Sequence, residues 1–172
     1  MKTHTVWLID VDGVINASKA GWGRAGQAAI ALANGHPYRL RWEPQVIDAI
    51  RTFNAAPGRE ARWATTWCDH EPELRRVFGL ILPVAFGARP AHLTYDEQKI
   101  DAARAVLDAG QRLIWTDDTV VPAARRFFPR FDMSEADGQA LLIAPKPSRG
   151  LRPEDIDRIA AFAAAAPSAT AA

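Results

Sequence analysis

An apolar run that ends in two acidic residues and a glycine constrains the fold of this chain most. Residues 6–14 read Val-Trp-Leu-Ile-Asp-Val-Asp-Gly-Val, so an apolar segment leads into Asp10 and Asp12, and Gly13 then lets the chain turn. A continuous apolar run is typical of a strand that is buried on both faces of a parallel sheet. Ligands of open α/β sheets bind beyond the carboxyl ends of the strands. We therefore predict a parallel sheet with a binding site beside Asp10 and Asp12.

Two carboxylates this close together resist joint ionisation, because like charges repel. A divalent cation removes that cost, and Mg²⁺ binds one or two carboxylates together with phosphate oxygens of a substrate. The run thus indicates Mg²⁺-dependent phosphoryl chemistry with an aspartate nucleophile. A strand that ends in a solvated acidic turn is the alternative explanation.

The rest of the chain continues the same pattern of strands and helices. Apolar segments at about 4–9, 60–65, 81–86, 112–116 and 140–144 alternate with helical patterns. This alternation predicts a three-layer α/β/α, Rossmann-like sandwich with a mostly parallel five-stranded sheet in the order 3-2-1-4-5. A chain of 172 residues fits one domain, which we place at 1–166, with a flexible tail at 167–172. Pro44, the capping box from Thr94 to Glu97, and Pro153 mark helix starts.

The segment 16–42 departs from this pattern and predicts a hairpin that projects beside the end of the first strand, without a large cap domain. Its interleaved basic and aromatic residues would suit contact with a nucleic-acid end. The alternative is a hairpin whose aromatic side chains pack onto the domain and whose arginines are solvated, and the net charge of +1 favours it. The residues concerned are Lys19, Trp22, Arg24, Tyr38, Arg39, Arg41 and Trp42.

Three further features fall where a phosphoryl-transfer site needs them. Thr65, or Thr66 in the next register, ends the second predicted strand, and Asp117-Asp118 follows the fourth. Lys99 lies early in the helix before that fourth strand. Each residue also has an ordinary explanation: a β-forming threonine, a solvated lysine, and an acidic cap for the helix at 120–127.

This ordered set of residues resembles the haloacid dehalogenase superfamily over about residues 4–165. The first motif of that superfamily matches residues 10–14, and its second, third and fourth motifs match Thr65, Lys99 and the Asp117-Asp118 pair. The superfamily's phosphatases carry a second aspartate where its dehalogenases do not, so Asp12 favours a phosphatase. The runs at 63–67 and 115–118 resemble a bacterial subgroup with little or no cap, some members of which are linked to nucleic-acid end repair.

The resemblance implies a role for each matched residue. Asp10 is expected to attack phosphorus and form an aspartyl-phosphate, and Asp12 to act as general acid and then general base. Thr65 and Lys99 are expected to hold the phosphoryl oxygens. The implied Mg²⁺ ligands are an Asp10 oxygen, the Asp12 backbone carbonyl and Asp118, with Asp117 in support.

The sequence also sets expectations about compartment. Cys68 is the one cysteine, so no intrachain disulfide forms, and a small buried thiol is expected there. No apolar run approaches membrane-spanning length and no signal-peptide pattern is present, so we expect a soluble cytoplasmic protein. His36, His70 and His92 lack metal-ligand spacing.

The function expected from the sequence is an Mg²⁺-dependent phosphomonoesterase that acts on a small molecule or on a nucleic-acid terminus. A catalytically silent module that binds phosphate or a protein partner is the alternative. The presence of both acids disfavours it, because a binding module has no need of Asp12.

Overall fold

The structure, a computed structural model, describes residues 4–88 and 90–165, so the predicted tail at 167–172 lies outside the described residues. The strands are β1 Thr5–Ile9, β2 Gln27–Ala33, β3 His36–Trp42, β4 Arg59–Trp63, β5 Arg112–Thr116 and β6 Ala140–Ile143. The helices are α1 Pro44–Ala55, α2 Glu71–Phe78, α3 Tyr95–Asp108, α4 Val120–Phe127, α5 Pro129–Ala136 and α6 Pro153–Ala164. A 3₁₀ helix, Thr66–His70, follows β4.

Within the described part of the chain, four parallel strands form the main sheet in the order β4-β1-β5-β6. Ile9, the last residue of β1, pairs with Trp63 of β4 and with Thr116 of β5, so the three strands end at the same level. Backbone hydrogen bonds continue past the strand ends, from the Asp10 N–H to the Thr116 carbonyl at 3.0 Å and from the Ala64 N–H to the Ile9 carbonyl at 2.9 Å. The residues after these strands therefore meet at one edge of the sheet.

The predicted fifth strand, 81–86, is not formed as a strand. Its pairing with the sheet is one parallel bridge between Val84 and Trp63, flanked by hydrogen bonds of Trp63 with Pro83 and Ala85. Pro83 lacks a backbone N–H and cannot donate to a ladder, which limits pairing at this edge. Over residues 4–88 and 90–165 the sheet thus has four strands, and the five-strand order is not confirmed.

Side chains of β1 alternate between two apolar cores, one on each face of the sheet. Trp7 and Ile9 belong to a core that includes residues of α1, α2 and α6. Val6 and Leu8 belong to a second core that includes residues of α3, α4 and α5. All four side chains are fully buried, which explains why β1 reads as an unbroken apolar run.

The segment predicted as a hairpin contains β2 and β3, which pair antiparallel from Gln27–Trp42 to Ala33–His36. Asn34 and Gly35 connect them, both with positive φ (51° and 78°), as a two-residue hairpin turn requires. Glu73 and Arg76 of α2 bind the outer edge of β2, at the Leu32 N–H and the Ile30 carbonyl.

The helix starts predicted from proline and capping signals are confirmed. Pro44 and Pro153 begin α1 and α6, and Thr94 and Glu97 form the capping box of α3, each side chain accepting a backbone N–H of the other residue. Over the described residues, no helix is long and apolar enough to span a membrane.

Candidate active site

The carboxyl edge of the sheet brings together most of the residues that the sequence singled out. Asp10 follows β1, Asp117 and Asp118 follow β5, and Thr65 lies two residues after β4. Lys99 reaches the same place from the second turn of α3, because the capping box at Thr94 fixes where that helix begins.

The Lys99 ammonium lies between two buried carboxylates. Its Nζ is 2.8 Å from Asp10 Oδ2 and 2.7 Å from Asp117 Oδ2. The side chains of Lys99, Asp10 and Asp117 are 5%, 9% and 0% exposed. A lysine buried to this degree is paired, not solvated, so the ordinary explanation for Lys99 does not hold.

Asp117 performs two tasks at once. Its Oδ2 faces Lys99, while its Oδ1 accepts the backbone N–H groups of Thr119 and Val120 at the start of α4. Asp117 therefore does cap the start of α4, as the ordinary explanation expected. The ion pair with Lys99 is an additional contact that a cap does not need.

The Asp118 carboxylate lies against the turn after β1. Gly13 has a φ of 75°, and a Cβ at this position would overlap the Asp118 carboxylate. The turn is closed by hydrogen bonds from the Asn16 N–H to the Val11 carbonyl and from the Gly13 N–H to the Asn16 carbonyl. A glycine is thus required at 13 for two reasons, backbone conformation and space.

Three carboxylates of this edge are placed to share a cation. Oxygens of Asp10, Asp117 and Asp118 lie within 4.8 Å of one another. With all three ionised and Lys99 charged, the group carries two uncompensated negative charges. An all-oxygen donor set with that charge fits a hard divalent cation such as Mg²⁺.

Burial has the largest effect on the pKa of Asp10. It raises the Asp10 pKa from 3.8 to about 7, although the charge of Lys99 and hydrogen bonds from Lys99 and Thr65 act in the opposite direction. Burial lowers the pKa of Lys99, but Asp10 and Asp117 outweigh it, so the Lys99 pKa lies above its ordinary value and the side chain stays charged. Burial and the Asp117 charge raise the pKa of Asp118.

Thr65, and not Thr66, is the hydroxyl beside Asp10. Thr65 is fully buried, caps the 3₁₀ helix by accepting the Trp67 N–H at 3.4 Å, and hydrogen-bonds Asp10. Thr66 is exposed and lines a neighbouring cavity.

Asp12 lies apart from the buried group and is exposed. Asn16 Nδ2 donates to its Oδ1 at 2.6 Å, and Trp67 Nε1 donates to its Oδ2 at 2.9 Å. Sequence reasoning missed both donors. The available signal was that Trp67 follows a strand-terminal threonine by two residues, where a 3₁₀ helix turns it back towards β1.

Two tryptophans of the segment 16–42 pack onto the rest of the domain. Trp42 is 6% exposed and packs edge-on to Phe78 at 5.2 Å, and the indole N–H of Trp22 donates to the Leu151 carbonyl. These contacts match the interpretation in which aromatic residues of the hairpin segment pack onto the domain. Cys68 is half-buried, and its pKa is raised to about 11, chiefly by burial.

Comparisons of the chain with protein-family models, with curated proteins and with solved structures gave no match.

Proposed function

We propose that this protein is a phosphomonoesterase that transfers a phosphoryl group to Asp10 and then to water. One observation supports this above the others: two carboxylates two residues apart have opposite environments at one sheet edge. Asp10 is buried against Lys99, whereas Asp12 is exposed and held by two hydrogen-bond donors. Carboxylates in contrasting surroundings are typical of a site that divides nucleophilic and acid–base work between them.

The chemistry divides between these two residues. An Asp10 carboxylate oxygen attacks phosphorus while the bond from phosphorus to the leaving oxygen breaks, and Asp12 donates its proton to that oxygen. Asp12 then takes a proton from water, the water oxygen attacks phosphorus, and the bond to Asp10 breaks to release phosphate. The exposure of Asp12 suits this second step, because water reaches it directly.

The other residues support the charge that develops on the phosphoryl group. Lys99 and Thr65 offer an ammonium and a hydroxyl beside Asp10, and both are fixed by their own hydrogen bonds. Asp10 and Asp118, with the Asp12 carbonyl, would hold a divalent cation, Asp117 supporting them. Such a cation, when bound, supplies charge neutralisation at the phosphoryl oxygens.

The decisive experiment assays Asp10→Asn and Asp12→Asn with Mg²⁺ on p-nitrophenyl phosphate, alkyl phosphates and 3′- and 5′-phosphorylated oligonucleotides. Asp10→Asn is expected to be inactive. Asp12→Asn should lose about 10²–10⁴-fold on alkyl phosphates, the usual contribution of general acid–base catalysis, and less on the aryl ester, whose leaving group needs no proton. Asp132→Asn, an exposed carboxylate of α5, is the matched control.

Trapping of the phosphoenzyme completes the test. Asp12→Asn should accumulate an acid-stable, base-labile acyl phosphate from the aryl ester, because the base for the second step is missing. Full activity of purified Asp10→Asn, or no hydrolysis of any ester by the unaltered protein, contradicts the proposal. The second outcome would favour the silent binding module.

A further inference from the structure

A cavity of about 250 Å³ adjoins Asp12. The tip of the hairpin, the 3₁₀ helix and the first residue of α3 enclose it, and its lining is Asp12, Ala33, Asn34, Tyr38, Thr66, Trp67, Asp69, His70 and Tyr95. If Asp12 protonates the leaving oxygen, as proposed above, the group attached to that oxygen extends into this cavity. The residues that line the cavity therefore indicate which alcohol group the substrate carries. This inference rests on the proposed function.

Aromatic side chains form much of the cavity wall. The Tyr38 and Trp67 rings meet edge to face, with centroids 5.5 Å apart and planes at 82°. Trp67 also meets the His70 ring at 6.3 Å and holds Asp12 through its indole N–H. Tyr38, Trp67 and Asp12 thus form a connected part of the cavity wall, and Tyr38 is 46% exposed.

The acidic side chains of the cavity lining are not balanced by a lysine or arginine among the described residues that line it. These acidic side chains are Asp12 and Asp69. The Tyr95 hydroxyl donates to Asp69 Oδ2 at 2.9 Å, which holds that carboxylate at the cavity. A second phosphate or a carboxylate on the leaving group would be repelled by Asp69, whereas a cation would be attracted by that carboxylate and by the aromatic rings, and Asp12 adds a second negative charge once it has given up its proton.

We propose that the cavity binds a positively charged amine and that the preferred substrates are phosphate monoesters of amino alcohols. During the reaction the bond from phosphorus to the alcohol oxygen breaks and the bond from phosphorus to Asp10 forms. Asp12 gives its proton to the alcohol oxygen, and the cationic amino alcohol leaves from the cavity. The volume of the cavity suits a small headgroup and is below the roughly 300–1,000 Å³ of sites for larger ligands.

The test compares choline phosphate with 3,3-dimethylbutyl phosphate, which has nearly the same shape without the charge, and with p-nitrophenyl phosphate as a general substrate. An exposed ion pair and a cation–π contact are each worth about two- to fivefold in affinity. We therefore expect kcat/KM for choline phosphate to exceed that for the neutral ester by about tenfold. Asp69→Asn and Tyr38→Leu should each lower this ratio by about two- to fivefold, while Asp96→Asn, an exposed acid outside the lining, should leave it unchanged.

The outcomes separate this inference from the proposed function. Hydrolysis of p-nitrophenyl phosphate with a ratio of one or less overturns the amine site and leaves the phosphatase proposal intact. A phosphorylated oligonucleotide that is hydrolysed faster than choline phosphate overturns it as well. Failure to hydrolyse any ester overturns the proposed function itself. A ratio near ten that falls in both cavity variants and not in Asp96→Asn supports the amine site.

Discussion

Gly13 offers a sharp test of how the turn after β1 positions Asp118. Alanine at this position meets two penalties, a φ of 75° and overlap of its Cβ with the Asp118 carboxylate. Gly58 is the matched control, because it has the same φ of 75° and nothing within 4 Å of an added Cβ. Both substitutions carry the same backbone cost, but only Gly13→Ala also brings a Cβ against the Asp118 carboxylate.

The magnitudes follow from this difference. The left-handed conformation costs an L-residue about 1–2 kcal/mol, so both variants should lose that much free energy of unfolding. In Gly13→Ala the Asp118 carboxylate must also retreat by about 1 Å to reach an ordinary carbon contact of about 3.5 Å. A displacement of about 1 Å in a catalytic group can cost about 100-fold in rate, and disturbed ligand positioning about 10–100-fold in metal affinity.

The free energy of unfolding is measured by urea denaturation, and turnover is measured with p-nitrophenyl phosphate. Metal affinity is measured by calorimetric titration with Mg²⁺ in the presence of a phosphate mimic. We expect Gly13→Ala to lose metal affinity and turnover, and Gly58→Ala to lose stability alone. The double variant Gly13→Ala/Asp118→Ala should be no worse in metal affinity than Asp118→Ala, because the effects share one cause. Equal turnover in the two glycine variants, or additive losses in the double variant, refutes this reasoning.

Three further predictions concern single contacts. Lys99→Met should destabilise the fold by about 3–5 kcal/mol, since it leaves buried carboxylates without a cation. In urea titrations this loss should grow as pH rises through 7, because Asp10, whose pKa is raised to about 7, is mostly neutral below that pH and needs the Lys99 cation once it ionises; a loss that does not change with pH contradicts it. Trp67→Phe should lower turnover of alkyl phosphates about tenfold by releasing Asp12, as the loss of one hydrogen bond to a charged group allows, and unchanged turnover of these esters would contradict this. Cys68 should react with a disulfide reagent at pH 8 about 100-fold more slowly than a thiol of pKa 9.0, because its own pKa is raised to about 11; a rate equal to that of free cysteine would disprove this.

The sequence alone determined the local features of this fold. The apolar run at 6–9 predicted β1 because a strand buried on both faces has no polar side, and both cores do enclose it. Proline and the Thr94–Glu97 capping box located helix starts because these signals act within one turn of the chain. The prediction of a strand at 81–86 was wrong because strand pairing also depends on the neighbouring strand. The apolar residues of this segment resemble a strand, but Pro83 has no N–H to donate, and one bridge to Trp63 forms.

Contacts between distant parts of the chain were decided only by the tertiary structure. Nothing in the spacing of Lys99 distinguishes a solvated lysine from one held between Asp10 and Asp117, because that difference depends on which way α3 packs against β5. The same holds for the indole of Trp67 on Asp12 and for the cavity beside it, which is assembled from the hairpin, the 3₁₀ helix and α3. Short-range signals set where elements begin and end, whereas the environment of a charge is set by the elements that enclose it.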